Sequence, residues 1–470
     1  MIRLKEIINQ LDQDAYVALE SQLNKNKADN FLFLIKSYRE NGVKDEEIIK
    51  HLDLNANSFY VLKSRLYDRI KNHLSEHIDV SKADLLQKLQ EVNDICYTKP
   101  REIAVAFLEK LEEDLLKYDM HSELLLVYSA MKKVHLHSEN YFYYSQLYNK
   151  HVAFWLSLEK SEAILGNFNQ ILAQFAFSKS DLHLNKLLFL RKEAANHLAL
   201  NPSRKIEIIT RIIDIELGIF CWADEVKGMD VEKTILETAQ LIHELPNSSG
   251  QKKWEIAVDY LMFEYYRKTN PVKALPLFHK VNLQKNNLLL YSPICLTPQF
   301  LISKIEFLAE QNQLDALLSE VDSELIMDHN DVYSKILFGL YKATVSYYSG
   351  KTKEAITLLN DLINEHSFKD YFHLNVEVRL TLAYFYIQAK DYELAENSIK
   401  SIYRKIKTED LNEYANALDL IKFFNLEITP DSKDKSNSKK KDALTLFIAR
   451  NKGKYAILDH LLFDFKNKNL

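Results

Sequence analysis

The side chains best suited to hold a ligand are concentrated near the start of the sequence, in VKDEEIIKHLDLNANSFYVLKSRLYDRIKNHL, residues 43–74. Apolar residues recur at helical spacing through its second half, so the residues between them belong to a more polar face. The apolar stripe consists of Phe59, Leu62, Leu66, Ile70 and Leu74. The polar face carries Tyr60, Lys63, Ser64, Tyr67 and Lys71. Hydroxyl and ammonium groups on one face can donate several hydrogen bonds to a single partner.

Two helices joined by a tight turn must position this polar face. The sequence predicts a short helix from Asp45 to Leu52 and a turn through residues 53–55. A second helix follows, and we expect Asn57 or Ser58 to cap it, since both are favoured at the first position of a helix. Aspartate at position 53 suits the turn, because it tolerates the left-handed backbone conformation better than most residues.

This pair of helices resembles the helix-turn-helix of sigma-factor region 4 and of related response-regulator output domains. The matching residues are Glu47, Ile48, Leu52, Leu54, Phe59, Leu62, Lys63, Ser64, Arg65, Leu66 and Ile70. The resemblance implies that the second helix enters the major groove of DNA. The implied contacts are Asn57, Tyr60, Lys63, Ser64 and Tyr67, with Arg65, Arg69 and Lys71 near phosphates.

Two other interpretations of residues 43–74 stay open. The segment can be the first hairpin of a longer array of helix hairpins, or it can have the same fold and dock on another protein. The charges are modest, with a net +3 over residues 57–74 and a net −3 over residues 45–53. A protein that reads DNA usually carries a stronger basic footprint.

A second group of candidate ligands lies in HLHSE, where His135, His137 and Glu139 alternate along the chain. Residues two apart point to different sides of a helix, so we do not expect them to share a metal ion. The sequence also lacks a Gly-rich phosphate loop, HExxH and GxSxG, which hold phosphates, zinc or a nucleophilic serine. We therefore expect no catalytic residue, metal or cofactor, and we do not expect an enzyme.

The elements that carry these residues are expected to be helices throughout. The 470 residues include only 8 glycines and 8 prolines, whereas the two make up roughly 12% of average proteins. Strand-rich folds need many tight turns, and tight turns need these residues. Because 47% of the residues are hydrophobic, the chain can still fill a large core. The sequence therefore predicts an all-α fold.

An aromatic residue followed eight or nine positions later by an alanine recurs in the second half of the chain. The pairs are Tyr265 and Ala274, Phe307 and Ala316, Tyr347 and Ala355, and Tyr386 and Ala395. The alanines are 42, 39 and 40 residues apart, and a steady period of this length indicates a helical repeat array. Each alanine predicts a close hairpin, because a small side chain lets two helix axes approach to roughly 8 Å.

The residues of this pattern resemble the tetratricopeptide repeat. The matching positions are Leu382, Ala383, Tyr386, Tyr392, Ala395 and Ile399, then Ala343, Gly350, Ala355 and Leu359, and finally Tyr265, Ala274 and Phe278. The period exceeds the family's, which is about 34. The resemblance implies a right-handed superhelix of antiparallel helix pairs, a solenoid whose concave face binds a protein or peptide. The implied groove residues are Glu377, Arg379, Tyr384 and Gln388.

Composition and periodicity divide the chain into five predicted segments. They are a helical, helix-turn-helix-like domain (1–78), degenerate helical repeats (79–250), tetratricopeptide-like repeats (251–428), a disordered linker rich in Lys and Ser (429–442) and a helical tail (443–470). The linker is expected because its polar composition cannot fill a core. The tail is apolar again, so we expect it to dock on another surface.

The remaining features narrow the classes of function. A net charge of −5 gives no global attraction to nucleic acid or acidic lipid. Three widely spaced cysteines fit a reducing compartment, and no apolar run is long enough for a signal peptide or a membrane helix. We expect a cytoplasmic protein that does not enter a membrane. It is either a scaffold or adaptor that binds a protein, or a transcriptional regulator with the array as sensor or dimerisation domain.

Overall fold

The computed structural model is helical wherever it describes the chain. The described residues are 4–5, 8, 13–25, 28–39, 44–76, 80–178, 180–221, 228–245, 249–284, 296–311, 332–408, 414–429, 440 and 442–445. They form 20 helices and no strand, so the prediction of an all-α fold is confirmed for this part of the chain. None of these helices combines the length and the apolar character that crossing a membrane requires.

The chain divides into two compact units, Met1–Tyr148 and Asn149–Leu470. The helices of the first unit are α1 (Gln13–Lys25), α2 (Asp29–Arg39), α3 (Asp45–His51), α4 (Ala56–Glu76), α5 (Val80–Thr98), α6 (Arg101–Lys117) and α7 (His121–Val134). The long helix α8 (Asn140–Ser178) contains the point of division. The first unit has two separate cores, one from α1 to α4 and one from α5 to the start of α8.

The second unit continues with helices that form one core. They are α9 (Asp181–Leu200), α10 (Arg204–Glu216), a π-helical turn (Leu217–Cys221), α11 (Val231–His243), α12 (Ser249–Thr269), α13 (Pro271–Leu283), α14 (Leu296–Glu310), α15 (Val332–Tyr348), α16 (Thr352–Glu365), α17 (Phe372–Gln388), α18 (Tyr392–Thr408) and α19 (Ala415–Ile428). A single hydrophobic cluster extends from Ile164 to Leu444. The stretch 245–253, LPNSSGQKK, has the composition of a loop, but it contains the start of α12 at Ser249.

Three of the predicted hairpins are present in the second unit. The pairs α12–α13, α15–α16 and α17–α18 each pack closely. Ala274, Ala355 and Ala395 lie on their second helices and are completely buried, as the close-approach argument requires. The fourth alanine, Ala316, lies outside the described residues.

The turns of the last two hairpins repeat one another at an interval of 40 residues. Gly350 and Lys390 both have a positive φ, 76° and 61°, a conformation common where a helix ends. Lys351 N donates a hydrogen bond to the carbonyl oxygen of Ser346, and Asp391 N donates one to the carbonyl oxygen of Tyr386, both at 2.9 Å. Two helix ends with the same backbone geometry therefore precede Ala355 and Ala395 by five residues each.

The hairpins are also packed on their neighbours along the chain. The helix α16 contacts α17, and α18 contacts α19. The first helices contact one another as well, α12 with α14, α15 with α17, and α17 with α19. One interaction reaches further, because His183 on α9 is near enough to act electrostatically on His373 of α17. Burial, followed by this neighbour, lowers the pKa of His373 to about 3.

Candidate functional site

The turn between α3 and α4 has the backbone conformation that the sequence predicts. Asp53 has a φ of 50°, in the left-handed region that most side chains avoid. The predicted cap is wrong, because the side chain of Asn55 accepts a hydrogen bond from Ser58 N at 2.8 Å. The first helix also ends one residue early, at His51. The turn therefore comprises residues 52–55, one more than expected, and α4 begins at Ala56.

Lys63, one of the implied DNA contacts, is bonded within the helix pair. Its Nζ lies 2.9 Å from Asp45 Oδ2, and Tyr38 donates to the other carboxylate oxygen at 2.6 Å. The ammonium also lies 5.6 Å from the centre of the Phe59 ring. Burial alone would raise the pKa of Asp45, but the hydrogen bonds from Tyr38 and Lys63 lower it overall. Lys63 therefore joins α4 to α3.

The other implied DNA contacts differ in how far they reach into solvent. Those that are exposed are Asn57, Tyr60, Arg65 and Arg69, whereas Ser64 and Tyr67 are half-buried. Tyr60 is 57% exposed. The guanidinium of Arg69 lies over the ring of Phe31 at 5.4 Å. Lys71 belongs to α4, but its side chain lies outside the described residues. Among the described side chains of this face, the accessible ones are therefore Asn57, Tyr60, Arg65 and Arg69.

Helix α17, which carries the implied groove residues, is enclosed on nearly all sides. It contacts α15, α16, α18 and α19. Tyr384 is 2% exposed and Glu377 is 6% exposed, so both belong to the core and offer no surface to a partner. An apolar helix without a polar face is expected in such an interior position. Two of the four implied groove residues, Glu377 and Tyr384, are therefore inaccessible to a partner.

The other two residues, Arg379 and Gln388, are half-buried. Together with Phe372 they are the only side chains of α17 that are not fully buried. Arg379 Nε donates to Asn375 Oδ1 at 2.9 Å, and burial lowers the pKa of its guanidinium. Gln388 is the last residue of the helix. Access to α17 is thus limited to its two ends and to one guanidinium between them.

A buried ion cluster that the sequence does not predict joins α12 and α14. Arg267 lies 2.9 Å from Glu264 Oε2 and also pairs with Glu306. Burial alone would lower the pKa of Arg267, but the two carboxylates raise it overall. Burial raises the pKa of Glu306, against the effect of Arg267. No local signal in the sequence indicates it, because Glu264 and Arg267, three residues apart on one helix, look like a solvated pair.

Glu216 is a second buried acid that the sequence does not predict. It ends α10, just before the π-helical turn, and it is completely buried. Among the described residues, neither carboxylate oxygen has a hydrogen-bond partner. Burial raises the pKa of Glu216 to about 8. The side chain is therefore protonated at neutral pH.

The histidines of HLHSE point in different directions, as their spacing predicts. His135 is buried, whereas His137 and Glu139 are exposed. Arg101 Nη2 lies 3.1 Å from His135 Nδ1. Because a guanidinium can only donate, Nδ1 accepts and the proton of the neutral ring is on Nε2. Among the residues that the structure describes, no three His, Cys, Asp or Glu side chains are arranged to hold a metal.

Comparison with known proteins adds no family to this description. No protein-family model matches the chain, and no curated protein and no solved structure is significantly similar to it.

Proposed function

We propose that the unit Asn149–Leu470 is a tetratricopeptide-like repeat array and serves as a non-enzymatic scaffold or adaptor for a protein partner. In this proposal its hairpins form a right-handed superhelix. The first helices of the hairpins face the concave side, and a peptide or helix of the partner lies against their accessible parts, such as Gln388 at the end of α17. Such arrays bind extended segments because each repeat adds a similar strip of surface.

The observation that carries this proposal is the repeated hairpin geometry. Two helix ends with matching hydrogen bonds lie 40 residues apart, and a completely buried alanine follows each of them at the same distance. Each hairpin also packs on the first helix of the next. A unit that buries one face only against its neighbour is the building block of a repeat array. The outermost hairpins of such an array keep a face that a partner can cover.

Photo-crosslinking from α17 tests the proposal. Gln388 is replaced by benzoylphenylalanine in the full chain, which is then expressed in the cells from which the gene comes. A matched control carries the same replacement at Thr357, an exposed residue of α16. We expect one defined protein to be crosslinked from position 388 and not from position 357. No adduct at 388, or the same mixture of adducts at both positions, would reject the scaffold.

DNA binding by α3 and α4 is a second candidate function, in which the array serves as sensor or dimerisation domain. The specific observation in its favour is Arg65, which is exposed on α4. No described carboxylate pairs with it. Arg69 lies one turn further along the same helix. Two cations one turn apart suit neighbouring phosphates of a duplex.

Salt dependence distinguishes this second function from the scaffold. The full chain is titrated against a fluorescent 30-base-pair duplex at several salt concentrations. If α4 contacts phosphates, the affinity falls steeply as salt rises, and replacing both Arg65 and Arg69 by Glu abolishes binding. Lys99→Glu, an exposed charge change outside α4, is the control. Absence of binding at low salt leaves the scaffold as the remaining proposal.

A further inference from the structure

Arg379 differs from the other half-buried arginines described in the second unit in having no acidic partner. Among the described residues of this unit, four arginines are half-buried. The ion pairs of the other three are Arg191 with Asp214, Arg211 with Glu207, and Arg267 with Glu264. The guanidinium of Arg379 bonds only to the amide oxygen of Asn375 within the described chain. The same unit thus supplies a carboxylate to three of its four described half-buried arginines.

One side-chain hydrogen bond orients the guanidinium of Arg379, and another bond fixes its main chain. Asn375 is itself 3% exposed, and it accepts the Nε proton one turn earlier on α17. The hydroxyl of Ser398 on α18 donates to the carbonyl oxygen of Arg379 at 3.0 Å. These contacts occupy Nε and the main chain and leave the two terminal nitrogens for another partner. Those nitrogens form the fork that matches the two oxygens of a carboxylate or a phosphate.

Burial without an anion is unfavourable for a guanidinium. Removing a charge from water costs free energy unless a charge of opposite sign and hydrogen bonds replace the water. Burial lowers the pKa of Arg379, and no neighbouring charge opposes that effect. An incoming oxyanion would supply the missing charge.

We infer that Arg379 is the anchor of an oxyanion-binding site on α17 and receives a carboxylate or phosphate group carried by a bound partner. The inference deepens the proposed scaffold function, on which it rests for the source of the oxyanion. Arg379 supplies the charge and the fork, and Asn375 is the positioning residue that fixes the fork. No covalent step is involved.

Inorganic phosphate is the probe for the site itself. Binding to the full chain is measured from the shift of the unfolding midpoint with phosphate concentration, at ionic strength kept constant with chloride. We expect phosphate to raise the midpoint of the wild type, and the affinity to fall about tenfold or more in Arg379→Gln, because the charged fork is lost. Arg404→Gln, at an exposed arginine of α18, should keep the wild-type affinity. Equal affinity in Arg379→Gln and the wild type would overturn the inference.

Asn375→Asp provides an independent test that does not depend on removing Arg379. Aspartate has nearly the shape of asparagine, and it would place a carboxylate against Nε where the structure has an amide. We expect this variant to unfold at a higher temperature than the wild type and to lose phosphate binding, because the guanidinium is then paired within the chain. A lower unfolding temperature with unchanged phosphate binding would show that Arg379 has no unmet need for an anion, and would reject the site.

A third comparison identifies the source of the oxyanion. Fluorescent peptides that differ only in having phosphoserine or glutamate at one position are titrated against the wild type and Arg379→Gln. Tighter binding of either peptide to the wild type supports the site and names its preferred group. If phosphate depends on Arg379 but position 388 crosslinks no partner, the scaffold fails while the site stands. If neither peptide nor phosphate depends on Arg379, the site fails while the scaffold stands.

Discussion

Helices α4 and α17 were both expected to carry binding residues, and the structure gives them opposite surroundings. In α4 a single stripe of apolar residues packs on α1, α2 and α3, and the other side is open to solvent. In α17 four helices cover nearly every side chain. The same kind of residue therefore has a different role in each, since Tyr60 is a surface residue and Tyr384 is a core residue. Residue type suggests what a side chain can bind, but packing decides whether a partner can reach it.

The largest expected effect contrasts these two tyrosines. Tyr384→Ala should lower the free energy of unfolding by about 3–5 kcal/mol, because it leaves a cavity among packed aromatic rings. Tyr60→Ala should change it by less than about 0.5 kcal/mol, because the ring is largely in water. Urea unfolding of the two variants measures both values. Similar losses in both would contradict the contrast between an enclosed and an open helix.

A substitution of Glu216, in the second unit, tests how the stability of the protein depends on pH. Its carboxyl loses a proton near pH 4.5 in the unfolded chain and near pH 8 in the folded one. The folded protein keeps the proton between these values, so stability that is present below pH 4.5 is lost as the pH rises towards 8. From pH 4.5 to pH 7 this loss is about 3 kcal/mol.

Glu216→Gln should remove this part of the pH dependence, because an amide does not titrate in this range. The measurement is a series of urea unfolding curves from pH 4.5 to pH 8 for the wild type and the variant. Parallel pH profiles for the two proteins would mean that Glu216 is ionised, or has a partner, in the folded state.

A third prediction concerns the close approach of α17 and α18 in the second unit. Ala395→Trp should cost about 1–3 kcal/mol, because the side chain has no space between α17 and α18. Ala153→Trp, at an exposed alanine in the middle of α8, is the matched control and should cost much less. Thermal unfolding compares them. An unchanged melting temperature in Ala395→Trp would remove the argument for a packing constraint at that alanine.

The smallest effect concerns the ion pair that joins α3 and α4. Lys63→Met should cost about 0.5–1 kcal/mol, since the pair is partly open to solvent. The folded-state pKa of Asp45 is depressed below 3.8, so the contribution is present above that pH and is lost as the pH falls through the lower value. Unfolding measured at pH 7 and at pH 2 checks both statements. An equal cost at both pH values would show that packing of the Lys63 stem, and not its charge, matters.

The sequence was sufficient for the helices and for the hairpins with buried alanines. Scarcity of Gly and Pro and a 40-residue period depend only on composition and spacing, and Ala355 and Ala395 lie where that spacing places them. The sequence was not sufficient for the enclosure of α17, because the number of helices around an element depends on contacts between distant parts of the chain. Glu264 and Arg267 were missed for the same reason, since a charge pair looks like a solvated face until Glu306 is brought next to it.

The α3–α4 helix pair gives a second example: the conformation of its turn could be predicted from local sequence, but the pairing of Lys63 could not. The left-handed conformation of Asp53 follows from residue type and position, and it is present. The pairing of Lys63 with Asp45 and Tyr38 could not be read from one helix, because its partners belong to two others. The sequence places Lys63 on a polar face, and in the folded chain that side chain forms an ion pair with Asp45.

The central claim is that the second unit, and not α4, holds the protein partner. Hydrogen exchange of the full chain, alone and with the partner crosslinked at position 388, tests this claim most directly. We predict slower exchange in α15 to α18, including the end of α17 near Gln388, and unchanged exchange in α3 and α4. Slower exchange confined to α4, with the second unit unaffected, would contradict it.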